Sequence, residues 1–153
     1  MALDSSTVRL LSQLAEGDGK PLHECSPDEA RALLSKLAEL AGPAPEMWRV
    51  EERNIEELDG QARLRILVPF ENPIGVLVYY HGGGWVLGSI DEYDTVARKI
   101  AERTSCAVVL VEYRLAPEHR YPTAVDDSYA ALEWVGQHIM DIAGRKVPLI
   151  VAG

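Results

Sequence analysis

His81-Gly82-Gly83-Gly84-Trp85 stands directly after the apolar run at residues 76–80. A strand running into successive glycines brings backbone N–H groups close to whatever binds there, because no Cβ obstructs the approach and unusual φ angles cost little. Ligands of α/β sheets bind at the carboxyl ends of the strands. In that place, amides can hold the negative charge that develops on a carbonyl oxygen during ester hydrolysis, each preorganised donor being worth about 2.7–4 kcal/mol. Gly82, Gly83 and Gly84 can therefore be read as an oxyanion hole, as a phosphate cradle or as a plain tight turn. The phosphate reading is weakened by the lack of a following Lys-Ser/Thr and of G-x-G-x-x-G spacing. His81 is read as a structural imidazole that hydrogen-bonds nearby backbone and holds the glycines, in preference to a catalytic base.

Tyr113-Arg114-Leu115-Ala116-Pro117-Glu118-His119 follows a second apolar run, at residues 107–111. Glu118 is either an exposed loop acid or a buried carboxylate, and burial would require a partner. Asp126 and Asp127 read as acids near a helix N-terminus, favoured there by the helix dipole and given no chemistry. His119 and His138 read as surface residues, and His23 as part of a polar linker. A third buried-strand pattern runs from Val147-Pro148 through Leu149, Ile150 and Val151 to Gly153.

The elements that must position these residues follow from spacing. Residues 5–16 look helical. A second helix opens at Ser26-Pro27-Asp28-Glu29, where Ser26 can cap, Pro27 suits the first helical position and Glu29 completes a capping box. Ala30, Leu33, Leu34, Leu37 and Leu40 recur at helical spacing until Gly42-Pro43. Residues 48–58 and 61–70 flank Asp59-Gly60, a hairpin signal, and Arg63 and Arg65 leave one face of the second strand polar. From Gly75 the apolar runs are continuous, as in strands covered on both faces. Helical patterns at 94–103 and 124–142 separate them. Alternating strands and helices predict an α/β fold with a mostly parallel sheet, an antiparallel hairpin at its start and flanking helices.

Bulk properties narrow the function. The chain has 153 residues, 47% hydrophobic and 25% charged, with a formal net charge of −9. Such a chain repels polyanions and has no basic cluster, so no nucleic-acid partner is expected. Its longest apolar run, near residues 74–80, is far short of the roughly 20 residues that span a bilayer. The first residues lack a basic stretch followed by an apolar one, so no secretory leader is expected. Cys25 and Cys106 lie far apart without metal-ligand spacing and read as reduced thiols of a cytoplasmic protein.

HGGGWVLGS at 81–89 and EYRLAPEHRYPTAVDD at 112–127 together resemble the hormone-sensitive-lipase-like family of bacterial carboxylesterases. The resemblance covers nearly everything from residue 75 onward and implies the N-terminal half of an α/β-hydrolase. It implies that Gly82 and Gly83, in one loop with Gly84, supply oxyanion-hole amides, a third coming from the residue after the nucleophile. It also implies that Tyr113, Arg114 and Glu118 form a buried polar network beneath the site, Glu118 steadying the nucleophile turn. Residues 1–45 would be an N-terminal cap segment and 46–153 the first part of the core. Leu33 and Leu37 would then serve lid packing or acyl contact, although ordinary core packing explains them equally. Gly153 would open the nucleophile elbow G-x-S-x-G, with the Ser, acid and His in the sequence that follows. The strand at 149–151 would be central, its far edge unpaired and apolar. The expectation is the first part of an esterase, completed by a remaining C-terminal part, acting on short- to medium-chain esters without metal or organic cofactor. A non-catalytic hydrolase-like binding protein and an inert truncation product are the alternatives.

Overall fold

The computed structural model describes residues 3–15, 20–55 and 62–153. In chain order they form α1 (Ser5–Ala15), α2 (Pro27–Ala38), β1 (Arg49–Ile55), β2 (Ala62–Val68), β3 (Val76–Tyr80), α3 (Ile90–Thr104), β4 (Ala107–Glu112), α4 (Thr123–Gln137), α5 (Ile139–Ala143) and β5 (Leu149–Ala152). The strands make one mixed sheet in the order β1-β2-β4-β3-β5. β1 and β2 pair antiparallel from Arg49 opposite Val68 to Ile55 opposite Ala62. The Asp59-Gly60 turn expected between them lies outside the described residues. β2 also runs antiparallel to β4, whereas β3 lies parallel to both β4 and β5.

Successive strand residues point to opposite faces, so a continuous apolar run supplies two cores at once. Val76, Val78, Val109 and Val111 face α4 and α5, packing with Ala131, Val135, Ile142 and Ala143. Leu77, Val108 and Leu110 face α3, meeting Ile90, Ala97 and Ala101. The runs are continuous because helices cover both sides of the sheet. At its edge β5 is different: Leu149, Ile150 and Val151 are all exposed.

The polar face of the hairpin is not simply a solvated one. Arg65 lies largely covered and donates to Glu52 Oε1 at 2.6 Å, Asp91 Oδ1 at 2.6 Å and Asp94 Oδ1 at 3.1 Å. One guanidinium thus ties β1 and β2 to the first two turns of α3. α3 begins at Ile90, earlier than its apolar spacing indicated, because Ser89 caps it by accepting from the Glu92 amide at 3.3 Å.

In α2 the expected capping box forms: Ser26 Oγ accepts from the Glu29 amide at 3.3 Å, and Glu29 Oε2 accepts from the Ser26 amide at 2.7 Å. Of its apolar positions only Ala30 is fully buried. Leu34 and Leu37 instead line an open apolar groove with Tyr93 and Val96 of α3, and Leu33 is exposed. The single helix expected over 124–142 is two. His138 leaves helical geometry (φ −108°, ψ 17°) and separates α4 from α5. Its Nδ1 lies 2.7 Å from the Trp134 carbonyl and its ring stacks on Trp134 at 3.9 Å, a half-buried position instead of the expected surface one.

Candidate active site

β3 delivers His81 to the carboxyl end of the sheet, and the chain then turns through the glycines before Ser89 starts α3. The Val86 and Leu87 amides both donate to Gly83 O, at 3.2 and 3.0 Å, closing the turn on itself. Gly83 sits at φ +134°, and a Cβ there would stand 2.0 Å from the Leu87 carbonyl oxygen. Only glycine fits. Trp85, without that freedom, nevertheless adopts φ +60°, a left-handed conformation that costs a side chain about 1–2 kcal/mol. Its indole is 65% exposed beside the loop.

Tight closure leaves the amides of Gly82, Gly83 and Gly84 donating to no acceptor among the described residues. They border a cleft of about 280 Å³ lined also by Tyr80, His81, Tyr113, Ser128 and Gly153. A second, mostly apolar groove of about 410 Å³ shares Gly84 and Trp85 and continues along Ala116, Tyr121, Pro122 and Val125. Unspent N–H groups beside an apolar groove suit a ligand with a polar, anion-forming centre and a hydrocarbon arm.

His81 is buried and holds the loop's backbone. Its Nδ1 lies 3.0 Å from Gly82 O, and since a carbonyl only accepts, the network assigns the proton to Nδ1. Tyr113 stacks on the imidazole with ring centroids 4.4 Å apart, and its hydroxyl donates to His81 O at 2.5 Å. Burial pushes the Tyr113 phenol up to about 12. It therefore remains a neutral donor at any physiological pH. Tyr113→Phe is expected to cost about 1–3 kcal/mol, the range for leaving a buried acceptor unpaired. Chemical denaturation of the variant and the parent measures it.

Arg114 and Glu118, expected with Tyr113 in one network, make strong pairs with Asp127 and Arg31. Arg114 turns to Asp127, which receives its backbone amide at 2.9 Å, Nε at 2.9 Å and Nη2 at 2.6 Å. Asp127 is 0% exposed, so its place is not that of a solvated helix-start acid. Sequence reasoning missed it, and the only signal was the run Asp126-Asp127 at a helix start, one acid facing in. Tyr80 makes a second tie to α4, donating to the Ser128 carbonyl at 2.8 Å.

Glu118 is half exposed, at 51%, and pairs with Arg31 of α2 at 2.8 Å. Hydrogen bonding from Arg31, with a backbone amide second, holds the carboxyl at about 2, below its ordinary 4.5. A depressed folded-state value stabilises the fold fully above the unfolded value and loses that contribution as pH falls through the folded one. The gap in melting temperature between parent and Glu118→Gln is therefore expected to be flat above about pH 5 and to close toward pH 2. Melting curves recorded across that range check it.

A glycine loop with free amides, at the carboxyl end of a parallel strand in a sheet covered on both faces, is the arrangement expected of an α/β-hydrolase. The family model described as alpha/beta hydrolase fold matches residues 77–153, and the chain belongs to that family, in its hormone-sensitive-lipase-like group. It is 44% identical over 128 residues to the carboxylesterase NlhH of Mycobacterium tuberculosis, covering 81% of this chain and 40% of that protein. It is 35% identical over 126 residues to the arylesterase of Saccharolobus solfataricus, covering 82% of this chain and 41% of that one. The solved structure of the hyperthermophilic esterase from the archaeon Pyrobaculum calidifontis superposes with a TM-score of 0.87 at 34% identity, over 100% of this chain and 50% of that one. The chain thus spans 40–50% of the length of these relatives.

Proposed function

We propose that these residues supply the oxyanion-hole half of a carboxylic ester hydrolase. The observation that carries this reading is the set of unspent amides at Gly82, Gly83 and Gly84, opening on a cleft that Gly153 also lines. The nucleophile Ser, the acid and the His belong to a C-terminal part that completes the fold. A Cβ on Gly153 would lie 2.7 Å from Tyr80 O, the close approach that a nucleophile elbow requires of its first glycine. The exposed apolar edge of β5 supports a further strand beside it.

The Ser hydroxyl attacks the ester carbonyl while the His takes its proton, and the resulting O⁻ accepts hydrogen bonds from the Gly82 and Gly83 amides. Collapse of that intermediate expels the alcohol, protonated by the His. Water then releases the acid from the acyl-enzyme by the same steps. The apolar groove along Trp85, Tyr121 and Val125 takes the hydrocarbon of a short- to medium-chain ester. Residues 1–45 form the cap segment over the core at 46–153. A cytoplasmic setting belongs to the same proposal; no helix among the described residues is long and apolar enough to cross a membrane.

Hydrolysis of a p-nitrophenyl ester by the full-length protein tests the reading. Turnover that a Ser-directed phosphonate abolishes is the expected result. A folded full-length protein that binds such esters without turning them over would instead establish a hydrolase-like binding protein.

A further inference from the structure

From α2, the Arg31 side chain hydrogen-bonds to both loops of the site. Its Nη1 and Nη2 grip the two Glu118 oxygens, each at 2.8 Å. Nη2 also donates to Ala116 O at 3.0 Å, and Nε donates to Val86 O at 2.9 Å. Val86 closes the glycine turn through Gly83 O, and the Ala116 amide donates to Trp85 O at 2.8 Å. The guanidinium therefore sits on the seam where the loop after β3 meets the loop after β4. A side chain placed only to anchor a helix needs one carboxylate. This one spends two of its donors on main-chain carbonyls of the two loops, 55 and 85 residues away in sequence.

We infer that Arg31 is a positioning residue for the reaction proposed above, a clamp through which the N-terminal segment sets the position of the Gly82–Gly84 amides. Oxyanion donors work only when their geometry is fixed before charge develops, and misplacement by about 1 Å can cost a hundredfold. Besides Arg31, the turn is held from the loop after β4 by the Ala116 amide on Trp85 O at 2.8 Å, while a Cβ on Gly84 would meet open space. Glu118 serves the clamp by holding the fork in plane, which a lysine could not reproduce because it has no fork. Ionised down to about pH 2, that carboxylate keeps its grip wherever the enzyme works.

The test uses the full-length protein with Arg31→Gln, Arg31→Lys and Glu118→Gln. It reads kcat and KM on p-nitrophenyl acetate, together with amide hydrogen exchange of peptides spanning 82–88 and, as an internal control, 107–112. Arg31→Gln is expected to lower kcat roughly tenfold to a hundredfold with KM nearly unchanged. Exchange across 82–88 should quicken about tenfold while 107–112 stays as in the parent. Arg31→Lys should recover only part of the loss. Glu118→Gln should show the same changes more weakly, and it carries the test should Arg31→Gln not fold. Exchange across 82–88 equal to the parent's would overturn the clamp. Faster exchange with parental kcat would overturn the positioning role, leaving Arg31 a structural tie. An inactive full-length parent would defeat the esterase reading alone, since the exchange comparison still decides whether Arg31 holds the loop.

Discussion

Full-length Gly83→Ala is expected to turn over an ester about 10²–10³ times more slowly than the parent, the loss that follows removal of one oxyanion-hole donor. The new methyl would be driven to 2.0 Å from Leu87 O and 2.5 Å from the Leu87 carbonyl carbon. Both atoms are backbone, so no rotamer change can relieve the contact and the turn itself must move. Gly84→Ala provides a milder comparison. Its φ of +62° lies in the left-handed well that other residues also visit, and its Cβ would meet nothing within 4 Å, whereas φ +134° at Gly83 suits glycine alone. Steady-state kinetics on the two variants therefore compare a turn that must move with one that need not. A much larger fall in kcat in Gly83→Ala than in Gly84→Ala is expected, and parental kcat in Gly83→Ala would remove the oxyanion hole from this loop.

The second large effect concerns stability. Arg114→Met should lower the unfolding free energy by about 3–5 kcal/mol, the cost of breaking a buried ion pair and stranding one charge. Asp127, 0% exposed in the parent, would lose the Arg114 Nε and Nη2 donors and keep the Arg114 backbone amide. Replacing both partners, Arg114→Met with Asp127→Leu, should restore much of the loss, since an apolar pair of similar volume often matches a buried ion pair. Denaturant titration of the three proteins decides this. Equal stability of Arg114→Met and the parent would mean that the pair contributes nothing to the fold.

Particular residues show what could be seen before any coordinates. The runs at 76–80 and 107–111 were legible as doubly covered strands because alternate residues serve opposite cores, which leaves no charged position in either. The Ser26 capping box was legible because its four residues are contiguous. The strand order was not. β2 skips β3 to pair with β4, a choice that tertiary packing makes and local spacing does not encode. His138 breaks a helical pattern whose apolar spacing continues through it, so that nothing local in the sequence marks the break.

In the site, the glycines announced themselves by type, and His81 by its place at the strand end, where it does hold the backbone of Gly82. The partners of the polar residues were hidden. Asp127 lies 13 residues from Arg114, and Arg31 lies 87 residues from Glu118. Neither separation belongs to a local motif. Such pairings depend on where α2 and α4 pack, and a charge pattern read along the chain cannot distinguish a solvated acid from one turned inward. Trp85 was similarly opaque, since only its φ of +60° marks it as more than an exposed indole.

The central claim is that Gly82 and Gly83 donate to the oxyanion. Its most direct test is a crystal structure of the full-length protein after reaction with an alkyl phosphonate ester, whose tetrahedral phosphorus stands in for the intermediate. One phosphoryl oxygen is expected about 2.7–3.1 Å from both the Gly82 and Gly83 amide nitrogens, with the alkyl arm along Trp85 and Val125. A phosphorylated serine whose oxygens turn away from this loop to other donors would contradict it.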